Sequence, residues 1–236
     1  PGKIREILTL CEKEKIIPVF VTPPVSEYGI KYLEDNMDNV FSFGKDIEVV
    51  VNDLGVLEYI YSYYPDVSLA IGRLFDKTSH DPRILSQDIE LYYGVEGIKF
   101  AQTPGILSYY YLKTLSRYHI NRYEFDFPKV GLSVNGEFNY SLYWPYQYLT
   151  TGRVCMFRAI QYRGREKFLT GGEKCSEPCR MLKAELRKPV NGFVVENGRK
   201  IDNMYLFQKG NTLFYLNESR DIFMGNTTFD RLIIQI

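Results

Sequence analysis

The amino-acid sequence predicts an α/β fold in which a parallel sheet forms all or part of a (β/α) barrel, with an antiparallel β-hairpin region in the C-terminal part. Two patterns predict it. Up to about residue 127, short β-branched runs alternate with segments of helical periodicity, as in right-handed βαβ units. Within residues 190–217, the dipeptides Asn197-Gly198 and Gly210-Asn211 stand between apolar runs, as in β-hairpins.

The elements of the first half can be assigned in chain order. A first helix is predicted from apolar residues at the spacing of one helix face: Ile4, Ile7, Leu8 and Cys11. The segment "IIPVFVTPP" predicts a strand, "EYGIKYLEDNM" a helix and "IEVVVND" a buried strand. After these, "LGVLEYIYSYY" predicts a helix and "VSLAIG" a strand. "GILSYYYLKTLSRYH" predicts a longer helix and "RYEFDF" a further strand, and the chain closes with the buried strand "FDRLIIQI".

The number of predicted strands falls short of a complete barrel. Five or six parallel strands can be assigned, whereas a complete barrel has eight strands and typically about 250 residues. The chain has 236 residues, which is enough for one domain with a hydrophobic core. We therefore expect a single barrel-like domain over 1–236. Either the first βα units lie outside this chain, or the barrel is incomplete and a protein partner completes it.

The composition excludes several classes of protein. Hydrophobic residues make up 45% of the chain and charged residues 25%, which is typical of globular rather than disordered proteins. Lys plus Arg and Asp plus Glu each number 29, so net charge alone does not favour binding to nucleic acid. No apolar run approaches the roughly 18 residues of a membrane span, and the first residues lack a signal-peptide pattern. We therefore predict a cytoplasmic protein without a membrane partner.

The cysteines are concentrated in one predicted loop. Of the four in the chain, Cys155, Cys175 and Cys179 fall within residues 148–180. Because Pro178 disfavours helical geometry, "CSEPC" is expected to be a turn, which can direct two thiols at one point. In a reducing compartment, clustered thiols bind metal more often than they form disulfides, although small core residues are the alternative. A zinc ion or an iron–sulfur cluster normally takes about four protein ligands, and three are visible.

Several segments together resemble the collagenase-like peptidase family of bacteria and archaea, the U-type peptidases of unknown mechanism. They run over most of the chain and are "VVVNDLGVLEYI", "LAIGRLF", "DPRI", "RYEFDF", "LTTGRVC" and "CSEPCR". The Gly-Arg-x-Cys segment followed by Cys-x3-Cys is the most specific part of the resemblance.

This resemblance implies a choice between two activities. Several members of the family carry a 4Fe-4S cluster on four cysteines and take part in oxygen-independent hydroxylation of RNA bases or of the ubiquinone ring. In those members, prephenate is implicated as the hydroxyl source. Other members are classed as collagenases or peptidases. The substrate expected from the resemblance is therefore an RNA, a small molecule or a protein.

The resemblance also implies a ligand set for the cluster. Cys155, Cys175 and Cys179 stand where three of the cluster ligands stand, with zinc as the alternative metal. The fourth ligand lies seven residues before the first of these in one branch, where this chain has Tyr148, and on an early strand in another branch. Cys11, the remaining thiol, lies on the apolar stripe of the first helix. The implied alternatives are a partner that supplies a ligand and a degenerate barrel that has lost its cluster and serves as a binding subunit of a complex.

Polar residues near strand ends are the candidate catalytic residues. In "RYEFDF", Glu124 and Asp126 alternate with aromatic residues, so the carboxylates are expected to point into the barrel while the rings pack under helices. Buried carboxylates need partners, which Arg73 or Arg153 could supply. This predicts either a polar substrate site at the barrel mouth or a structural ion-pair network. Asn52 ends a strand, at the edge where barrel enzymes place their chemistry.

Three further features are open to a functional or a structural interpretation. Asp53 precedes an apolar helix and is predicted to be its N-cap. His80 is a candidate general base without a recognisable nucleophile, and the absence of His-Glu-x-x-His and Gly-x-Ser-x-Gly motifs argues against a zincin or a serine hydrolase. In "FRAIQYRGREK", basic residues alternate with aromatic ones, which suits RNA or another polyanion, or else an ordinary solvated face.

Overall fold

The computed structural model describes residues 2–41, 46–78, 80–134, 138–152, 154–168, 176–186, 205–218 and 229–235. Within these ranges the fold is mixed α/β, with a curled six-stranded parallel sheet and a separate four-stranded antiparallel sheet. The predicted fold class is therefore confirmed at this level. The six parallel strands form half of a barrel, and the described residues do not close it.

The parallel sheet is built from strands in both halves of the chain. Its strands are β1 (Val19–Val21), β2 (Glu48–Val51), β3 (Ser68–Ile71), β4 (Arg122–Phe125), β5 (Tyr140–Trp144) and β10 (Arg231–Ile234). Their order follows the chain, and every neighbouring pair is parallel. The first four strands were all predicted from β-branched or aromatic runs, and the predicted C-terminal strand is the one that pairs with β5.

One helix precedes the parallel sheet, four lie between its successive strands and one follows the first strand of the second sheet, among the described residues. They are α1 (Gly2–Glu14), α2 (Glu27–Phe41), α3 (Leu54–Tyr63), α4 (Ser86–Gln102), α5 (Tyr109–Leu115) and α6 (Met156–Ala159). The helix expected around "GILSYYYLKTLSRYH" is shorter than predicted, because Ser108 is extended and His119 adopts a left-handed conformation. Helix α4, which was not predicted, contains a kink at Gly94, where φ is +66°. Among the described residues, no helix combines the length and apolar content needed to cross a membrane.

The second sheet contains the predicted hairpin. Its strands are β6 (Tyr146–Thr151), β7 (Ala184–Leu186), β8 (Leu206–Lys209) and β9 (Thr212–Leu216), in the order β6-β9-β8-β7. The turn between β8 and β9 is formed by Gly210 and Asn211, and Gly210 has the positive φ of +64° that such a turn requires. The second predicted turn, Asn197-Gly198, lies outside the described residues.

The parallel sheet has one apolar face and one polar face. On the apolar face, residues of β2, β3, β4 and β5 pack with helix α3 into the main core, which includes Val49, Val51, Leu69, Ile71, Phe125, Leu142, Val56, Leu57 and Ile60. Since side chains alternate along a strand, the other face carries Glu48, Arg122, Glu124, Ser141 and Arg231. The hydrophobic core therefore lies under the helices, and the inner face of the half-barrel is charged.

A contact across the inner face shows that the sheet is curled. Arg231 Nη1 on β10 lies 2.5 Å from Glu48 Oε1 on β2. These strands are four steps apart in the sheet, which in a flat sheet would separate them by about 19 Å. Side chains that stand perpendicular to a flat sheet could not meet over that distance. The sheet must bend toward its polar face, and Arg122 joins the same contact with Nε 3.5 Å from Glu48 Oε2.

We predict that Arg231→Met destabilises the protein by about 1–3 kcal/mol, because it removes a charged partner from the buried Glu48 carboxylate. The free energy of unfolding in urea measures the effect. Lys99→Met is the matched control, since Lys99 pairs with Glu96 on the exposed surface, and it should change stability by less than about 0.5 kcal/mol. Equal effects of the two substitutions would contradict the proposed role of the cross-sheet pair.

Candidate functional site

A buried ion pair lies at the carboxyl edge of the parallel sheet. Arg73 begins the 3₁₀ turn that follows β3, and Asp126 directly follows β4. Arg73 Nη1 lies 2.8 Å from Asp126 Oδ1, and the Asp126 side chain is 0% exposed. The backbone N–H of Tyr148 on β6 donates to the same oxygen at 2.8 Å. The expected contact between an arginine of the site and this carboxylate is therefore present, and it also reaches the second sheet.

The remaining contacts of Arg73 come from three further strand ends. Its guanidinium lies over the Tyr143 ring, 3.7 Å from the centroid, which is a cation–π contact. Its Nη1 also donates to the Tyr146 carbonyl at 3.4 Å. With its amide oriented so that both atoms are satisfied, Gln235 accepts from Arg73 Nη2 at 2.8 Å and donates to the Tyr146 carbonyl at 2.6 Å. The guanidinium is therefore held from β5, β6 and the residue after β10, besides the carboxylate.

Glu124 is buried on the inner face of the half-barrel, as its alternation with Tyr123 and Phe125 predicted. The Tyr143 hydroxyl donates to Glu124 Oε2 at 2.6 Å. Desolvation by burial raises the pKa of Glu124, and the Tyr143 hydrogen bond and the Arg73 charge oppose the rise without cancelling it. Burial, together with the Glu124 charge, also raises the pKa of Tyr143, so this phenol stays a hydrogen-bond donor. Glu124 is thus a carboxyl group that exchanges its proton at a pH above the ordinary range for a carboxylic acid.

Both polar atoms of the Asn52 side chain form hydrogen bonds with backbone groups at neighbouring strand ends. Its Nδ2 donates to the Thr22 carbonyl after β1, and its Oδ1 accepts from the Leu74 N–H after β3, both at 3.1 Å. Gly72 makes room for it, since a Cβ there would lie 2.3 Å from Asn52 Oδ1. Asn52 therefore holds three strand ends in position. Its neighbour Asp53 caps α3 by accepting from two amides of the first turn, as predicted.

A buried histidine belongs to the same edge. His80 Nε2 lies 3.8 Å from Asp76 Oδ2, and the imidazole meets the Tyr148 ring edge-on at 6.2 Å. Neither ring nitrogen has a hydrogen-bond partner in the described part of the chain, and the same holds for Asp126 Oδ2. Buried polar atoms are almost always satisfied, so these call for a water or a ligand. The sequence offered His80 as a base but not its carboxylate partner, which lies four residues earlier in the loop after β3.

Two of the three clustered cysteines lie on neighbouring segments. Cys155 immediately precedes α6, which packs against the 3₁₀ turn Pro178–Arg180 that contains Cys179. Both thiols are half-buried and free of disulfides. Cys175, the third predicted ligand, and Arg153, the alternative partner of the carboxylates, lie outside the described residues. Within the described ranges, no group of three His, Cys, Asp or Glu side chains is placed to hold a metal ion.

The arginines of the basic segment after Cys155 differ in their exposure to solvent. Arg158 is buried, with its guanidinium 4.7 Å from the Tyr162 ring and its Nη1 donating to the Glu166 carbonyl at 3.3 Å. Arg163 and Arg165 are exposed. The alternation of basic and aromatic residues therefore does not form one continuous surface, because its first arginine packs inside the loop.

Comparisons of this chain with protein-family models, with curated proteins and with solved structures found no match. The resemblance to the collagenase-like peptidase family therefore rests on the sequence segments alone. The function has to be argued from the geometry of the carboxyl edge and of the cysteine-bearing segments.

We predict that Arg73→Met destabilises the protein by about 3–5 kcal/mol, because it leaves the Asp126 carboxylate buried without a counter-charge. Adding Asp126→Asn should recover part of this loss, since an amide oxygen still accepts from the Tyr148 N–H. Unfolding in urea of the two single variants and the double variant measures the coupling. Additive effects would show that the ion pair does not determine the stability of this edge.

The raised pKa of Glu124 predicts a pH-dependent cost in stability. Because the folded-state pKa lies above the unfolded value, the contribution of Glu124 is fully present below the unfolded pKa and is lost as pH rises through the folded pKa. Glu124→Gln keeps the acceptor for Tyr143 but cannot ionise. Its stability relative to the unmodified protein should therefore increase from about pH 4 to pH 8, as measured by urea unfolding. The exposed Glu90→Gln serves as control, and a flat difference for Glu124→Gln would contradict the shift.

Proposed function

We propose that this chain is a barrel-type enzyme that binds a small polar substrate at the carboxyl edge of its parallel sheet. We assign it to the iron–sulfur branch of the collagenase-like peptidase family, with a role in oxygen-independent hydroxylation of an RNA base or a quinone-type ring. The observation that carries the proposal is the buried Arg73–Asp126 pair at this edge, with the raised-pKa Glu124 on one side and the unsatisfied His80 on the other. Barrel enzymes place their chemistry at this edge.

The curvature of the sheet supports a complete barrel in the functional protein. Six strands are described, and eight close a barrel. The two edge strands have exposed apolar residues, with Val21 on β1 52% exposed and Ile234 on β10 61% exposed. We infer that a partner protein supplies two further strands between these edges.

Each residue of the edge has a distinct proposed role. Glu124 and His80 are the proton-transfer groups, because one is a carboxyl with a raised pKa and the other a buried imidazole whose nitrogens have no hydrogen-bond partner among the described residues. Arg73 supplies positive charge and is kept in place by Asp126. Asn52 is a positioning residue, since it fixes the backbone from which the loop after β3 departs.

The cysteines are proposed to hold a metal centre next to this edge. The fit rests on Cys155 and Cys179, two half-buried free thiols on segments that pack together, with Cys175 as the third ligand implied by the resemblance. The loop that contains them leaves directly from β6, the strand whose Tyr148 amide binds Asp126. A bound 4Fe-4S cluster would supply electron transfer, whereas zinc would supply structural order. The remaining ligand comes from outside the described residues or from a partner.

We predict that protein purified without oxygen contains iron, and that Cys155→Ser, Cys175→Ser and Cys179→Ser each lose most of it, because each removes a thiolate ligand. Metal analysis and the visible absorbance of the cluster measure the loss. Cys11→Ser is the matched control: Cys11 lies on α1, in a different part of the chain, and its substitution should leave the iron content unchanged.

The possible results separate the proposals. Zinc in place of iron, lost in the same three variants, would retain the metal site but contradict the redox function. Folded protein with neither metal would favour the cluster-less binding subunit. Retention of iron by all three variants would contradict the ligand assignment.

A further inference from the structure

A pocket on the antiparallel sheet adjoins the site described above and shares Tyr146 and Gln235 with it. It has a volume of about 330 Å³ and lies between the strand face and the turn that follows Cys179. Its lining combines three cationic and three aromatic side chains, namely Arg180, Lys183, Lys209, Tyr146, Phe207 and Phe214. The volume is at the lower end of that of small-molecule sites.

The rim of the pocket is positively charged. No acidic side chain contributes to its described lining. Arg180 is exposed and pairs with Glu177 at 2.6 Å, and Lys183 donates to the Tyr205 hydroxyl at 3.0 Å. Lys209 has no acidic partner among the described residues. Arg180 is therefore partly neutralised by its acidic neighbour, and the positive charge of Lys209 at the rim favours an anion.

The floor of the pocket is aromatic. The Phe207 ring packs between Tyr146 and Phe214, with centroid distances of 5.1 and 5.4 Å. Phe207 is buried, while Tyr146 and Phe214 are half-buried and present ring surface to the pocket. Met181, 89% exposed, forms an apolar wall on the side of the turn. An apolar body of ring size therefore fits against this floor.

We propose that the pocket binds a small organic anion, with its ring on the aromatic floor and its carboxylate or phosphate at the cationic rim. The proposal does not rest on the metal site or on the hydroxylation function. Gln235 lines the pocket and accepts from Arg73 Nη2. The bound anion therefore lies one side chain away from the ion pair at the carboxyl edge.

The chain contains its own reporter for a binding experiment. Trp144 is the single tryptophan, it stands two residues before Tyr146, and its carbonyl accepts from the Gln235 N–H at 3.1 Å. Titration of the purified protein with benzoate and with phenylphosphate, followed by tryptophan fluorescence and by calorimetry, distinguishes a carboxylate from a phosphate ligand. Benzyl alcohol tests the ring without the charge, and acetate and inorganic phosphate test the charge without the ring.

We expect saturable binding of benzoate, phenylphosphate or both, at least about tenfold tighter than that of the fragments lacking ring or charge. Lys209→Met and Lys183→Met should each weaken it by about fivefold or more, because each removes a cation at the rim. Lys31→Met on α2 is the control for loss of one surface charge and should have no effect. The proposal is overturned if neither probe binds by calorimetry, if the neutral ring binds equally well, or if Lys31→Met has the effect of the pocket variants.

Discussion

The arrangement of the two sheets depends on the buried ion pair between Arg73 and Asp126. Removing two charges from water is costly, and the cost is offset only when both charges are well paired and their remaining hydrogen-bonding atoms are satisfied. Arg73 meets this condition through a carboxylate, a carbonyl, an amide oxygen and an aromatic ring. Since these partners belong to different strand ends, the ion pair ties β6 of the antiparallel sheet to the edge of the parallel sheet.

The inner face of the half-barrel also contains charged side chains that are paired with one another. Barrel interiors are usually filled by branched apolar side chains, whereas this one has Glu48, Arg122 and Arg231 in contact with one another. An apolar filling of similar volume is often as stable as a buried ion pair or more stable, so charge here is not explained by stability alone. Such departures from the stable solution are typical of places where a protein performs its function. The same face contains Glu124, whose raised pKa results from this partly desolvated setting.

The sequence predicted those parts of the fold that depend on local periodicity. Alternation in "RYEFDF" correctly assigned Glu124 and Asp126 to one face and the aromatic rings to the other. Helix α4 was missed because it has no buried residue and thus no apolar stripe to recognise. The curl of the sheet depends on contacts between residues far apart in the chain, and the pairing of His80 with Asp76 depends on the conformation of a loop. Local sequence patterns predict neither. The cysteine spacing predicted a metal site, which stays a prediction because Cys175, one of the three proposed ligands, lies outside the described residues.

The net charge of the protein does not describe the charge around its individual sites. The chain has equal numbers of acidic and basic residues, and this balance argues against attraction of polyanions over long range. It does not bear on a pocket of about 330 Å³, where the nearest charges dominate. At the carboxyl edge, Arg73 is paired with a buried carboxylate, while the described lining of the pocket beyond Gln235 contains three cations and no acid. The two neighbouring regions therefore differ in what they attract: the edge favours a polar group that exchanges protons, and the pocket favours a negative charge attached to an apolar body.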